Sequence, residues 1–446
     1  MHIAELRQIS GFTISSPTII PRAEHNISRA NISEAALKVL YRLNEAGYEA
    51  YLVGGGVRDL LLGREPKDFD IATNAHPEEV KHLFRNSILI GRRFRLAHVR
   101  YGREVIEVAT FRAPHDAGDD GRVDEDKGRI LRDNVYGDLE SDAWRRDFTV
   151  NALYYNIADF SVVDYTGGMA DLRRGELCLI GNDAEQRYRE DPVRMLRAVR
   201  FAAKLGFRVA ASSEAKLFEL GALLDDIPPA RLYDECLKLF LAGHALRTYE
   251  LLRHYGLFGY LFPQTEDSLT KEHDGFPITF VAKAMHNTDA RVRSDQSVTP
   301  FFLFAALLWE PYQEEYAACI EDGMDPHDAR YAAFTAVVGA QQEITSVPRR
   351  FTQPVREIWD LQPRFEQISG KRPMRLVTHP RFRAAYDFLL LRGESGEALE
   401  ELCAWWTEFV GMDDAQRNMA VPKDKDGKSR RRRRPRRKPS SSDGGE

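Results

Sequence analysis

Long apolar runs and closely spaced cysteines are both missing from this chain of 446 residues. No stretch approaches the roughly 20 apolar residues of a membrane-spanning helix, and the start MHIAELRQIS lacks a basic region followed by an apolar one. The four cysteines, at positions 178, 236, 319 and 403, are too scattered for a zinc site or a disulfide framework. We therefore expect a cytoplasmic protein with no membrane association.

A large net charge is also missing, because 63 Lys and Arg residues face 68 Asp and Glu residues. The basic residues are unevenly placed, and the segment KSRRRRRPRRKP lies near the C-terminal end. Such a segment cannot fold by itself and offers many partners for phosphate groups. We predict that residues 416–446 are a disordered basic tail. Its candidate nucleic-acid contacts are Arg430, Arg431, Arg432, Arg433, Arg434, Arg436 and Arg437.

The length of the chain predicts several domains, since one core rarely grows to this size. Residues 1–30 show no periodicity and are interpreted as an arm. Residues 31–170 alternate between helical and strand patterns, which predicts an α/β head domain. Its first helix has a possible capping box of Asn31 and Glu34 and ends at Gly47. The predicted strands are EAYLV, KDFDIAT, SILIG, RLAHV and EVIEVATF.

The remaining chain reads as mostly helical. We predict a neck over residues 171–270 and a helical body over residues 271–415, with Trp405 and Trp406 in its core. Residues 114–130 are polar and rich in glycine, which predicts a mobile surface loop. The segment AWRRDFTVNALYY after this loop is predicted to be a helix.

Two carboxylates share one face of the predicted strand KDFDIAT. Side chains alternate along a strand, so Asp68 and Asp70 point one way and Phe69 the other. Mg²⁺ binds a few hard carboxylate oxygens together with water and phosphate, and two such ions can clamp the oxygens of phosphoryl transfer. The pair is therefore a candidate magnesium site. A solvated strand face is the alternative, and for an isolated Asp-x-Asp it is the commoner one.

Two further features favour the metal site. Gly54, Gly55 and Gly56 lie between a predicted strand and a helix, where backbone amides can approach a triphosphate, although a tight turn has the same pattern. Glu107 interrupts the apolar strand EVIEVATF, and a buried carboxylate is costly unless it shares a cation. An exposed edge strand is the other interpretation of Glu107.

The segment RRDFTVNALYY extends this set. Read as a helix, it places Asp147 and Asn151 four residues apart on one face, just after Arg145 and Arg146. A carboxylate, an amide and two guanidiniums can orient a sugar and hold phosphate oxygens. A surface salt-bridge network is the alternative. The apolar and aromatic residues Phe148, Leu153, Tyr154 and Tyr155 are predicted to be core.

The motifs GGGVRDLLLG…DFD, RRDFTVNALYY and YREDPVRMLRAVRFA occur in this order and resemble the class II nucleotidyltransferases, which comprise bacterial poly(A) polymerases and transfer-RNA CCA-adding enzymes. The resemblance covers roughly residues 35–270. It implies an α/β nucleotidyltransferase head with a mixed sheet, followed by an all-α neck and body and the basic tail. It also implies that Asp68 and Asp70 are metal ligands. Glu107 is then the candidate third carboxylate, and Asp147 competes with it for that role.

The resemblance further implies a nucleotide site in the third motif, where the family reads the incoming base with side chains instead of a template. Asp191 and Arg194 are three residues apart, hence on one helical face, with Arg197 and Arg200 extending a basic stripe. A charged helix capped by Asp191 is the alternative. The candidate nucleotide-binding residues are Gly54, Gly55, Arg58, Arg145, Arg146, Asn151, Asp191, Arg194 and Arg197.

Two less specific features help to choose between the two activities of the family. The segment LIGRRFRLAHV, with Arg92, Arg93 and Arg95 around Phe94, is similar to one characteristic of the poly(A) polymerases. An arginine-rich tail suits an enzyme that engages many RNAs. We predict template-independent transfer of AMP from ATP to RNA 3′ ends of little sequence specificity, with two Mg²⁺ ions as cofactor. CCA addition to transfer RNA is the alternative.

Two other function classes fit less well. A non-catalytic RNA-binding protein of the same fold would not need both aspartates, Glu107 and the RRD motif together. An HD-type phosphohydrolase would need more than His273-Asp274 and His327-Asp328, since isolated dipeptides of this kind are usually surface pairs.

Overall fold

The computed structural model describes residues 16–91, 95–113, 135–271 and 279–422, and the backbone of six further strands of two residues each. The strands are β1 (Gln8–Ile9), β2 (Phe12–Thr13), β3 (Thr18–Ile20), β4 (Ala50–Val53), β5 (Asp70–Thr73), β6 (Ser87–Ile90), β7 (Leu96–Tyr101), β8 (Glu104–Thr110), β9 (Val123–Asp124), β10 (Arg129–Ile130), β11 (Leu153–Asn156), β12 (Val162–Asp164), β13 (Glu176–Leu177), β14 (Arg208–Val209), β15 (Glu272–His273) and β16 (Phe276–Pro277).

The helices of the head and neck are α1 (Glu34–Glu45), α2 (Gly55–Leu61), α3 (Pro77–Leu83), α4 (Leu139–Trp144), α5 (Gly168–Arg174), α6 (Ala184–Glu190), α7 (Val193–Leu205), α8 (Ala211–Glu219), α9 (Pro229–Phe240), α10 (Ala245–His254), α11 (Phe258–Leu261) and α12 (Pro263–Leu269). Those that follow are α13 (Phe280–Arg293), α14 (Pro300–Leu307), α15 (Trp309–Glu321), α16 (Pro326–Ile344), α17 (Arg349–Phe365), α18 (Arg372–Val377), α19 (Phe382–Glu394), α20 (Glu400–Gly411) and α21 (Asp414–Ala420).

Eight of the described strands form one mixed sheet in the order β3-β12-β11-β4-β5-β8-β7-β6. β5 and β8 run parallel at its centre, whereas the other neighbours pair antiparallel. This register places Asp70 of β5 between Val53 of β4 and Glu107 of β8. The predicted α/β head with a mixed sheet and the helical pattern beyond it are both confirmed.

The first helix shows how local signals set the element bounds. α1 begins after Ser33, whose hydroxyl accepts a hydrogen bond from the backbone N–H of Ala36 at 3.1 Å. The predicted capping box of Asn31 and Glu34 was therefore wrong, and Asn31 instead ends a short 3₁₀ turn, Arg29–Asn31. Gly47 follows the helix with a φ of +89°, so the predicted stop is confirmed.

The sheet is covered on both faces. On one face, Leu40 and Leu43 of α1 pack in one buried cluster with Leu52 and Ile71 of the central strands. On the other face, a second cluster joins the sheet to α4 (Tyr51, Val53, Ala72, Phe111, Leu139, Ala143, Tyr154 and Val163). Burial on both faces explains why β4, Ala50–Val53, is apolar and buried along its whole length.

Two predictions about the head were wrong. Residues 18–20 of the supposed arm pair with β12 as the edge strand β3, and three residues are too few to show a period in the sequence. The helix predicted through AWRRDFTVNALYY ends at Trp144. A 3₁₀ turn, Thr149–Asn151, and strand β11 follow, because pairing with β4 and β12 overrides the weak helical pattern.

One large core joins the end of the head to the neck and body. It includes Phe148 and Val150 of the head together with buried residues of α7, α9, α14 and α17. The four residues predicted as core in the RRD segment, Phe148, Leu153, Tyr154 and Tyr155, are at most 1% exposed. A separate cluster holds α17 to α20 together and contains Trp406, which is fully buried as predicted, while Trp405 is partly buried.

Several predictions fall on residues outside the described part of the chain. These are Arg92, Arg93 and Phe94, most of the 114–130 loop, Asp274 and residues 423–446 of the predicted tail. The start of the disordered tail at residue 416 was wrong, because α21 continues to Ala420 and Val421 packs against the cluster of α17 to α20. His327 and Asp328 form an exposed pair at 3.3 Å, as expected for an isolated dipeptide. No helix among the described residues is long and apolar enough to cross a membrane.

The close approach of α5 to the turn Thr149–Asn151 gives a stability prediction. A Cβ at Gly168 would lie 2.2 Å from the carbonyl oxygen of Thr149, which is backbone and cannot move away cheaply. Gly168→Ala is expected to lower the free energy of unfolding by about 3 kcal/mol. Gly411→Ala is the matched control, because a Cβ at Gly411 of α20 meets no atom within 4 Å. Equal thermal unfolding midpoints for the two variants would contradict this packing.

Candidate active site

Three carboxylates gather where β5 begins. Asp70 is the first residue of β5, and Glu107 lies opposite it on the neighbouring parallel strand β8. Asp68 precedes the strand and is exposed, while Phe69 between the two aspartates is buried. The predicted alternation of side chains is therefore present. Glu107 is 48% exposed, and its strand lies inside the sheet, so neither a buried position nor an edge strand describes it.

Crowding of these carboxylates changes the acidity of Asp70. Burial, with the nearby charges of Glu107 and Asp68, raises the pKa of Asp70 to about 6, although Arg146 opposes the shift. A carboxylate with a raised pKa among other carboxylates is a favourable place for a divalent cation, which would offset the repulsion. The three residues therefore suit Mg²⁺ in charge and in ligand chemistry.

His98 is a neighbour of this cluster that the sequence did not single out. It lies on β7 in register with Glu107, and its Nε2 atom is 3.0 Å from Oε1 of Glu107. The two residues and Asp70 thus form one row across three adjacent strands. His98 orients Glu107 from the side opposite Asp70.

The glycine loop, which we define as Gly54 with Gly55 and Gly56 at the start of α2, lies next to Asp70. Gly54 has a φ of +71° and precedes α2, so it occupies a backbone region that favours glycine. A Cβ at Gly54 would lie 3.7 Å from Nη1 of Arg146 and 4.0 Å from Oδ2 of Asp70. The loop is therefore close to both charges. A Cβ at Gly56 would meet the carbonyl oxygen of Asp68 at 3.4 Å, so the loop also packs against the start of β5.

Arg146 is fixed beside Asp70 by a network behind it. Asp142 of α4 accepts hydrogen bonds from Arg146 at 2.9 Å, from Arg145 at 2.7 Å and from the hydroxyl of Tyr154 at 2.7 Å. Burial alone would raise the pKa of Asp142, but the two guanidiniums outweigh it and hold the pKa well below its ordinary value. Asp142 is thus a buried anion that anchors both predicted arginines.

Asp147 lies at the junction of head and neck. Its carboxylate accepts hydrogen bonds from Arg197 of α7 at 2.7 Å, from Asn151 at 3.2 Å and from the N–H of Phe148 at 2.8 Å. Burial opposes the charged form, but the ion pair with Arg197 outweighs it, so the pKa of Asp147 is lowered. Asp147 and Asn151 are neighbours as predicted, although a 3₁₀ turn and not a helix brings them together.

Arg58 connects this junction to the glycine loop. Its guanidinium donates to Asn151 Oδ1 at 2.6 Å and to Asp59 Oδ1 at 2.7 Å, and only 1% of the residue is exposed. Asp59 in turn pairs with Lys204 of α7 at 3.2 Å. Arg58 therefore lies beneath the loop, where it supports Asn151.

The third motif has a different local geometry from the predicted one. Asp191 lies between α6 and α7, so it does not share a helical face with Arg194. Its carboxylate pairs with Arg231 of α9 at 2.9 Å, whereas Arg194 pairs with Glu190 at 2.9 Å. Pro192 explains the break, because proline disfavours helical geometry in the residue before it.

Arg187 of α6 is a second link between neck and head that sequence reasoning missed. It donates to the backbone carbonyl of Arg146 and pairs with Glu190 at 2.7 Å. No local pattern could reveal this contact, because its partner is a backbone oxygen 41 residues away. Asp142 did leave a signal, since it precedes Arg145 and Arg146 by three and four residues, the spacing of neighbours on a helix.

Another group of possible metal ligands lies outside this site. Among the described residues, the ligand atoms of Asp171, Glu176 and Cys178 fall within 4.8 Å of one another. Arg174 already pairs with both carboxylates, and Thr149 donates to Asp171 at 2.6 Å. Burial raises the pKa of the Cys178 thiol to about 12. This group is thus neutralised by the protein itself and is a poor match for a cation.

Comparisons with protein families match most of the chain. A model described as the poly A polymerase head domain matches residues 50–178. A model of the probable RNA and SrmB-binding site of polymerase A matches residues 206–269, and one of the polymerase A arginine-rich C-terminus matches residues 322–438. The matched regions follow the order of head, neck, and body with tail.

Individual proteins show the same relationship. Poly(A) polymerase I of Escherichia coli is 51% identical over 429 residues, which are 94% of this chain and 92% of that protein. The CCA-adding enzyme of Lactobacillus gasseri is 40% identical over 223 residues, only 50% of this chain and 54% of that enzyme. The crystal structure of the Bacillus stearothermophilus CCA-adding enzyme with CTP has a TM-score of 0.53 and 26% identity, covering 84% of this chain and 81% of that one.

The raised pKa of Asp70 gives a prediction about pH and stability. The raised pKa means that the folded protein binds the Asp70 proton more tightly than the unfolded chain does. Without divalent cations, the free energy of unfolding should therefore fall as the pH rises from about 4 through about 6, where Asp70 becomes charged. At pH 7 in EDTA, Asp70→Asn is expected to raise the free energy of unfolding by about 1–2 kcal/mol, and the gain should vanish near pH 4.

Denaturant unfolding of parent and variant at both pH values checks this expectation. Asp267→Asn is the control, because Asp267 is an exposed aspartate of α12, which is not one of the elements that hold the three carboxylates. A variant at Asp70 that is no more stable than the parent at pH 7 would show that the carboxylates do not repel one another. Added Mg²⁺ should stabilise the parent more than the variant.

Proposed function

The chain belongs to the bacterial poly(A) polymerase family of nucleotidyltransferases, and we propose that its head-domain carboxylates carry out the transfer of AMP from ATP to RNA 3′ ends. The observation that carries this assignment is the parallel pairing of β5 with β8, which sets Asp70 against Glu107 beside Arg146. A shared cluster of carboxylates with an adjacent guanidinium suits a reaction between a hydroxyl and a triphosphate.

Asp68 and Asp70 are the proposed ligands of Mg²⁺, with two ions expected. When bound, Mg²⁺ lowers the pKa of the attacking 3′-hydroxyl and neutralises charge on the triphosphate. The protein contributes the placement of its ligands. Phe69 is buried between the two aspartates, and the sheet fixes Asp70 on both sides, so the carboxylates are oriented before substrate binds.

Glu107 is the proposed third essential carboxylate. Asp147, its competitor, is occupied by Arg197, Asn151 and a backbone amide, and those contacts hold its charge in the junction. Glu107 has instead a half-exposed carboxylate that faces Asp70 across the strand pair. We assign a positioning role to Asp147, which keeps Asn151 and the neck helix α7 in place.

The nucleotide is proposed to lie between the glycine loop and the neck. Arg146 is close to both Gly54 and Asp70, a suitable position for a contact to phosphate oxygens. Asp191 and Arg194 stay candidates for reading the adenine edge, since their partners Arg231 and Glu190 orient them. Arg145, Asn151, Arg58 and Arg197 support this site through the hydrogen bonds described above.

RNA is proposed to reach the site along the neck and tail. The family description of residues 206–269 names RNA, and the arginines of the tail supply contacts that do not depend on sequence. ATP and RNA are both cytoplasmic substrates, so we place the enzyme there. CCA addition is the weaker candidate, because the likeness to a CCA-adding enzyme sequence stops at half the chain.

Loss of the central ligand tests the metal assignment. Asp70→Asn keeps the shape of the side chain but removes its charge, so AMP transfer is expected to fall on the order of 10³-fold or more. RNA affinity should stay close to that of the parent. Primer extension with ATP and a binding titration check both parts, with Asp267→Asn as control. A variant that retains full transfer would remove Asp70 from the reaction.

The tail contribution can be measured by salt dependence. Replacing the five arginines at 430–434 by glutamine is expected to weaken RNA binding and to lower the slope of log affinity against log salt by about 3.5. The preference for ATP over the other nucleotides should not change, because the head selects the nucleotide. An unaltered slope would show that these arginines do not contact phosphate.

A further inference from the structure

The helical hairpin of α15 and α16 carries a strong negative charge. We call residues 309–345 the acidic hairpin, since they contain eight carboxylates and one arginine, Arg330. The carboxylates are Glu310, Glu314, Glu315, Glu321, Asp322, Asp325, Asp328 and Glu343. The two helices pack against each other, and every residue of the tip, 320–328, is exposed.

Much of this charge has no partner within the described residues. Glu314 pairs with Lys271 at 2.8 Å, and Asp325 caps α16 through the N–H of His327. Four other carboxylates, those of Glu315, Glu321, Asp322 and Glu343, have no ion pair or side-chain hydrogen bond in the described part of the chain. Such a surface repels RNA and attracts a cationic partner.

Exposed apolar side chains lie among these charges. Ile320 is 36% exposed, Met324 39% and Tyr331 53%. The guanidinium of Arg356 already lies over the Tyr331 ring, 4.8 Å from its centre. Carboxylates beside an aromatic ring suit arginine more than lysine, because the planar guanidinium can pair with one and stack on the other.

We propose that the acidic hairpin is a docking site for the arginine-rich segment of the same chain, residues 423–438. This segment contains eleven Lys and Arg residues against two aspartates, Asp424 and Asp426. It docks on the hairpin while RNA is absent, and RNA displaces it. The inference goes beyond the proposed function, although the displacement step rests on RNA binding by the tail.

The distances allow this contact within one molecule. α17 connects the acidic hairpin to the end of the described chain. Near one end, its Arg356 contacts Tyr331 of the hairpin. At the other end, its Phe365 belongs to the cluster against which Val421 packs. Nine residues of helix span about 14 Å. The first arginine of the run, Arg430, is eight residues beyond Pro422 and can therefore lie up to about 27 Å from it.

The contact would act as a filter on RNA binding. A short RNA must compete with the four unpaired carboxylates of the acidic hairpin, which are tethered near the arginines, whereas a long RNA offers many phosphates at once. The tail is thus kept from unselective contacts until a suitable RNA arrives. Salt weakens both interactions, so the filter is strongest at low ionic strength.

Carbodiimide crosslinking of the full chain without RNA tests the contact directly. We expect amide links between lysines of the tail, Lys428 and Lys438 above all, and carboxylates of residues 309–345, and we expect RNA to abolish them. A mixture of ¹⁴N-labelled and ¹⁵N-labelled protein identifies links within one chain. Links to other surfaces only, or links between chains only, would overturn the proposal. The test needs no enzymatic activity, so its failure differs from a failure of the proposed function.

A charge-neutralising variant gives the second test. Glu315→Gln, Glu321→Gln and Asp322→Asn together are expected to tighten RNA binding about fivefold at about 50 mM salt and much less at about 200 mM. The same three changes should have no effect once arginines 430–434 are glutamine. Glu24→Gln, Glu45→Gln and Glu65→Gln, all exposed on the head, are the matched control. An equal gain in both arginine backgrounds, or no gain in either, would contradict docking.

Discussion

The crowding of carboxylates at the start of β5 is the constraint on which the site depends. Register in the sheet forces Asp70 against Glu107, and burial raises the pKa of Asp70. The hydrogen-bond network around Asp70 offsets part of the repulsion between the carboxylates. Arg146 brings a positive charge to Asp70 and is itself held by the buried anion Asp142. The fold thus gives up stability to hold these carboxylates together, as proteins often do at functional sites.

The proposed nucleotide site lies where the head meets the neck helices, and residues of both regions hold it together. Asp147 of the head pairs with Arg197 of the neck, and Arg187 reaches back to the backbone at Arg146. The core beneath them is continuous, since Phe148 packs edge-on against Phe201 of α7. The partly buried ion pair of Asp147 and Arg197 lies on this shared apolar core and orients the neck helices toward the carboxylates. The large shared core argues for a fixed head and neck.

Sequence reasoning found what local patterns encode. The strands that carry Asp70 and Glu107 were predicted, because alternation of buried and polar side chains is a local signal. The helix through Asp147 and Asn151 was wrong, yet the residues are neighbours, since a 3₁₀ turn also brings nearby positions together. His98 was missed because its role follows only from the pairing of β7 with β8. A residue whose role depends on contacts with distant parts of the chain leaves no periodic pattern in the sequence.

The function proposed for this site is the addition of AMP to RNA ends of any fold. The most direct measurement incubates the purified protein with Mg²⁺, a single-stranded RNA that lacks a transfer-RNA fold, and each nucleoside triphosphate in turn, and then resolves the product lengths. We expect a long ladder of products with ATP alone. Extension that is confined to transfer-RNA ends and needs CTP before ATP would contradict this function.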